Sequence, residues 1–133
     1  MKVKNDRTEK KIPRGVWYGL DGTGYDIIAQ EIISEDPLLR KWISIYAIYK
    51  YQFTEGPHQY FDFINNSKNS KYALIIFTIP VEKINTNDGL DDRDIIISEI
   101  KTMDSEEEIN TSLATLKINP ELFTPPWRCD YPL

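Results

Sequence analysis

The spacing of apolar and polar positions divides the chain into three stretches. The first, 1–14, is charged and poor in apolar residues. The second, from about Lys41 to Lys101, is dense in β-branched and aromatic residues. The third contains one helical pattern and then a run of prolines.

The middle stretch carries the strand signals. In "KWISIYAIYKYQF", Ile43, Ile45, Ala47, Tyr49, Tyr51 and Phe53 alternate with Trp42, Ser44, Tyr46, Ile48, Lys50 and Gln52. A period of two places the first set on one face of a strand. "QYFDFI" reads as another strand, although Pro57 at a helix start allows a helix over Pro57–Asn66 instead. "YALIIFTIPVEKI" is the strongest strand, with Pro80 marking a bend or an edge. The Asp-Gly pair in "NTNDGLD" supplies a turn, and "DRDIIISEIK" returns as a strand.

The flanks are less regular. Val16–Leu20 reads as a short first strand, and Asp26 as the cap of a helix over Ile27–Ser34. The isoleucines of that segment argue against helix, because β-branched side chains lose rotamers there. "SEEE" at Ser105–Glu108 is a capping box, followed by Ile109, Leu113 and Leu116 at helical spacing. This predicts a helix over about 106–117, ending before Pro120. The tail "NPELFTPPWRCDYPL" predicts an extended segment with Phe123, Trp127 and Tyr131 folded back on the domain. The fold class that follows is α+β: an antiparallel meander of about four to five strands with one or two helices packed on it. The domain organisation is a flexible basic arm over 1–14 and a single domain over 15–133, whose proline-rich tail starts at about 119.

Composition narrows the function classes. A length of 133 residues suits one domain, and Cys129 is the sole cysteine, so no internal disulfide forms. With one cysteine and one histidine, zinc sites built from four such ligands are excluded. The N-terminus lacks the apolar stretch of a secretory signal, and no apolar run reaches membrane length. These features predict a soluble, cytoplasmic protein with no membrane partner and no cofactor.

The net charge of −5 conceals an asymmetry. Residues 1–14 carry +4, and residues 82–108 carry −7. An acidic surface repels nucleic acid and attracts basic proteins.

Candidate chemistry is sparse. Gly19, Gly22 and Gly24 suggest a phosphate loop, but the third glycine of a dinucleotide fingerprint and the lysine of a phosphate loop are missing, so "DGTG" reads as a turn. Asp88, Asp91, Asp92 and Asp94 do not match the spacing of a calcium loop, because Ile84 falls at its first ligand position. Glu99-x-Lys101, with Asp88 or Asp94 upstream, has the spacing of metal-dependent nucleases, in a field of the wrong sign. His58 and Cys129 have no identifiable catalytic partners in the sequence.

The reading that remains is a binding protein. It predicts an inhibitor or neutraliser, of the immunity or antitoxin type, that meets a basic partner such as a nuclease toxin. The expected contact residues are Asp88, Asp91, Asp92, Asp94, Glu106 and Glu107, with Trp42 and Tyr46 as aromatic anchors. No catalytic or metal-binding residue is expected. A structural or assembly subunit is the first alternative, and the Asp…Glu99-x-Lys101 nuclease the second.

Overall fold

The structure, a computed structural model, describes residues 10–22, 24–50, 66–67, 69–84 and 94–132. Their architecture is α+β, with four antiparallel strands in the order β1-β2-β3-β4 and three α-helices. The strands are β1 (Ile27–Ile32), β2 (Leu39–Tyr46), β3 (Tyr72–Pro80) and β4 (Ile96–Met103). The helices are α1 (Arg14–Asp21), α2 (Val81–Ile84) and α3 (Glu106–Leu116).

Two flanking elements exchange type relative to the sequence reading. Residues 14–21 are helical, not a strand. Trp17 and Leu20, one helical turn apart, are buried together, and Pro13 and Gly22 bound the element. Gly19 has a packing role: a Cβ there would clash with the ring of Tyr25, which rests on the helix. Conversely, Ile27–Ile32 is a strand, not a helix. It pairs with β2 from Ile27↔Tyr46 to Ile32↔Lys41. The ladder holds the isoleucines in the conformation that their branched side chains favour.

Part of the stretch read as a basic arm is packed on the domain. Ile12 is buried in the core, and Arg14 opens α1 and pairs with Glu106 of α3. Residues 1–9 lie outside the described residues, as do "QYFDFI", "NTNDGLD" and His58.

The strand alternation holds only to Tyr46, where β2 ends and Ile48–Lys50 turns as a 3-10 helix, with Tyr51–Phe53 outside the described residues; over β2 both faces of the sheet are covered. Ile43, Ile45, Tyr72, Leu74 and Ile76 face α1 and α3, where they pack on Trp17, Leu20, Ile109, Leu113 and Phe123. Trp42, Tyr46, Ala73, Ile75, Phe77 and Ile79 form a second core on the opposite face. Cys129 and Tyr131 of the tail pack against that second core. Pro80 is the last residue of β3, which lies inside the sheet and not at an edge.

The tail reaches the second face by crossing the β1 edge. Asn119 O accepts from Gln30 Nε2 at 2.8 Å, and Thr124 exchanges two backbone hydrogen bonds with Ala29. Beyond it, Cys129 O accepts from the indole of Trp42 at 2.9 Å. The Tyr131 hydroxyl donates to Ser44 Oγ at 2.9 Å and lies 2.5 Å from the Tyr46 hydroxyl. Phe123 and Tyr131 therefore fold back as expected. Trp127 does not: it is 67% exposed, with one edge on the Tyr25 ring.

Helix α3 has the expected cap with one change of partner. Ser105 Oγ accepts from Glu108 N at 3.2 Å, but Glu108 Oε1 accepts from Asp104 N, not Ser105 N, at 2.8 Å. At the other end, Lys117 N donates to Ala114 O and Ile118 N to Leu113 O. This paired closure needs a left-handed residue, and Lys117 occupies it at φ 61°. A lysine there carries a steric cost that glycine avoids. Lys117→Gly is expected to raise unfolding stability by about 0.5–1 kcal/mol, read from the urea midpoint.

A candidate protein interface at one end of the sheet

The meander gathers four strand ends on one side. β1 ends there, β2 begins beside it with Leu39 opposite Pro80 at the end of β3, and β4 begins with Ile96 opposite Thr78. The β1–β2 hairpin tip, 33–38, and α2 lie side by side, because Val81 N donates to Leu38 O at 2.9 Å.

The tip is held by its own polar residues. Ser34 Oγ accepts from Asp36 N and donates to Asp36 O. Asp36 Oδ1 accepts from Leu38 N at 2.9 Å, and Asp36 O accepts from Leu39 N at 3.0 Å. Such side-chain-to-backbone bonds shape a turn without a packed core beneath it. They leave two large apolar side chains outside: Ile33 is 91% exposed and Leu38 73%.

The surroundings are acidic on balance, with Lys83 exposed beside Glu82. Glu35, Asp36 and Glu82 are exposed, and Asp94 is half-buried at the start of β4. Lys41 pairs with Glu35 at 3.4 Å, and Arg40 makes a two-pronged contact with Glu31 at 2.7 and 2.8 Å. That contact holds the Glu31 carboxyl below its usual range and consumes the charge of Arg40. Asp88, Asp91 and Asp92 fall between Ile84 and Asp94 in sequence, outside the described residues.

The remaining expected contact residues are elsewhere. Glu106 and Glu107 follow β4, whereas Asp94 precedes it. An eight-residue strand separates them by about 26 Å at ~3.3 Å per residue. Glu106 is paired with Arg14, and both glutamates line a groove of about 820 Å³ with Lys10, Lys11 and Lys117. Asn110 Oδ1 is buried there without a hydrogen-bond partner among the described residues. The groove is of mixed charge, so the seven-charge excess of 82–108 does not form one face. Trp42 and Tyr46 are fully buried beneath the tail and offer no surface to a partner.

Of the nuclease-like set, Asp88 lies outside the described residues. Glu99 and Lys101 share a face of β4, opposite Ile76 and Leu74. Asp94 precedes β4, whereas Glu99 lies beyond the bulge at Ser98. No cluster of three metal-ligating side chains occurs among the described residues. Cys129 is half-buried, burial pushes its thiol pKa up, and it donates to Pro126 O.

Asp21 belongs to the fold and not to the interface. Its carboxylate accepts from the hydroxyls of Tyr72 at 2.5 Å and Tyr49 at 3.0 Å. Lys50 donates to Leu20 O and Tyr25 O, closing the carbonyl end of α1. Asp21 and the carbonyls of Leu20 and Tyr25, on either side of the DGTG segment, are thus held by tyrosines and a lysine, and Thr23 within it lies outside the described residues.

The sequence reading passed over Ile33 and Leu38. The available signal was an apolar residue on each side of the turn sequence "SEDP". That pattern becomes informative only once both neighbouring segments are strands. Among the described residues, no helix is long and apolar enough to cross a membrane. No protein family, curated protein or solved structure matches this chain.

Proposed function

We propose that this chain is a protein-binding domain that holds a basic partner at the acidic end of its sheet, as an inhibitor or neutraliser of the immunity or antitoxin type. The observation that carries the reading is the exposure of Ile33 and Leu38 on a self-braced hairpin tip, rimmed by Glu35, Asp36, Glu82 and Asp94. Strong interfaces combine a small apolar centre with a polar rim. The apolar pair supplies contact area, and the acidic rim speeds encounter with a positive cleft and disfavours acidic partners. Internal hydrogen bonds pre-order the tip, so little freedom is lost on binding.

The test uses the full chain immobilised against the cytosol of its native cell, at low and moderate salt, with retained proteins identified by mass. The reading expects one stoichiometric basic protein whose retention falls as salt rises. The double variant Ile33→Ser, Leu38→Ser should weaken its binding at least about tenfold, chiefly through faster dissociation. Reversing Asp91, Asp92 and Asp94 to Lys should slow association and flatten its salt dependence. Equal retention by the parent and the double variant would remove the hairpin tip from the interface.

A further inference from the structure

We propose that β4 is also the interface of a symmetric homodimer, in which two copies pair antiparallel along their β4 edges about a two-fold axis at Ile100. This surface is separate from the hairpin tip, and the inference stands whether or not the tip binds a partner.

The sheet order makes β1 and β4 its two edges. The β1 edge is covered by the tail through Ala29, Gln30, Asn119 and Thr124. Among the described residues, β4 forms a ladder with β3 alone. An open edge presents unpaired backbone donors and acceptors to another strand.

A bulge sets which side chains this edge displays. Phe77 is opposite Ile97, yet Ile76 is opposite Glu99, so Ser98 is the extra residue and its hydroxyl donates to Ile76 O at 3.2 Å. Beyond the bulge, Glu99 and Lys101 share the helix-bearing face. Ile100 lies on the other face, 49% exposed. Among the described residues neither Glu99 nor Lys101 forms an ion pair within the chain.

These residues complement themselves in one register. Opposed side chains in an antiparallel pair share a face, so a two-fold axis normal to the sheet must pass through a residue and not between two. Through Ile100, it sets Glu99 against the partner's Lys101, Lys101 against the partner's Glu99, and Ile100 against the partner's Ile100. Ser98 then meets the partner's Thr102. Moving the axis to Glu99 opposes two glutamates, and moving it to Lys101 opposes two lysines. Directly opposed like charges are destabilising. The charge pattern thus selects a second copy of this strand, centred on Ile100.

Sedimentation equilibrium of the full chain from about 5 to 500 µM tests this, the range being that of a weak, small interface. The expected result is a mass rising from 15.6 kDa toward twice that value. Glu99→Lys or Lys101→Glu alone should weaken association at least about tenfold, because each variant opposes like charges twice per dimer. The double variant E99K/K101E should restore it, and so should an equimolar mixture of the two single variants. The mixture is the sharper test, since each chain in it is one already measured alone. A monomer at the highest concentration would overturn the proposal, as would indifference to the single reversals or failure of the mixture to associate.

Discussion

Deletion of residues 124–133 is expected to abolish cooperative unfolding. The tail is the lid of the second core, where Tyr131 packs edge-on against Phe77 at 5.7 Å. Its removal exposes parts of Trp42, Tyr46 and Phe77, all fully buried in the intact chain. Aromatic side chains bury about 150–250 Å² each, so uncovering a third to a half of three rings exposes some ~200 Å² or more. At about 25 cal/mol per Å² that loss is roughly 5 kcal/mol, comparable with the whole stability of an ordinary domain. The Trp42 indole also loses its acceptor, Cys129 O. The truncated chain should retain far-ultraviolet dichroism at best, lose the near-ultraviolet signal and bind a hydrophobic dye. Tyr131→Ala is the graded version and should cost about 2–4 kcal/mol. Tyr131→Phe removes only the hydroxyl that links Ser44 and Tyr46, and should cost about 1–2 kcal/mol. A truncated chain with an unchanged thermal transition would show that the sheet does not depend on this cover.

Replacing Asp21 by Ala is expected to cost about 2–3 kcal/mol, because it strands the buried Tyr72 hydroxyl and frees that of Tyr49. The same cluster predicts the acid limb of stability. The Tyr72 hydroxyl, helped by Tyr49 and by the charges of Lys71 and Lys50, holds the Asp21 carboxyl below its ordinary value of 3.8. A carboxyl lowered in the folded state stabilises fully above its unfolded value. That contribution is lost as pH falls from there through the folded value. The parent should therefore lose stability progressively below about pH 5, and Asp21→Asn should show a flatter acid limb. On the alkaline side the sign reverses. Burial first, and then Asp21, push the Tyr72 pKa up. Its contribution is complete below the unfolded tyrosine value of 10.0 and declines as pH rises beyond it. Urea midpoints between pH 3 and 11 for the parent, Asp21→Asn and Tyr72→Phe would resolve both limbs. An acid limb of equal slope in the parent and Asp21→Asn would assign that loss to other carboxylates.

The candidate interface was only partly legible in the sequence. The acidic run was visible as composition, and Asp94 lies at the proposed end of the sheet. Composition along a chain does not say which charges meet, however. An intervening eight-residue strand carries Glu106 and Glu107 to the far end, among Lys10, Lys11 and Lys117. Trp42 and Tyr46 were candidates because alternation assigns a strand two faces without saying what covers the second. The tail that covers it comes from residues more than 80 positions later, as the contacts of Trp42 with Cys129 and Tyr46 with Tyr131 record.

What the sequence determined by itself was local. The period of two in Lys41–Tyr46 and Tyr72–Pro80, the returning strand before Met103 and the Ser105 cap are all set by neighbouring residues, through rotamer preference and short-range hydrogen bonds. Those signals were enough for an α+β meander. Tertiary structure decided the rest where local preference was weak or divided. Residues 14–21 became a helix because Trp17 and Leu20 bury on one side of it, and Ile27–Ile32 became a strand because β2 offered it a ladder. It also decided which apolar residues stay outside. Ile33 and Leu38 are no less hydrophobic than the isoleucines of the core; they lie beyond the last paired residues of a hairpin, where no second layer among the described residues reaches them.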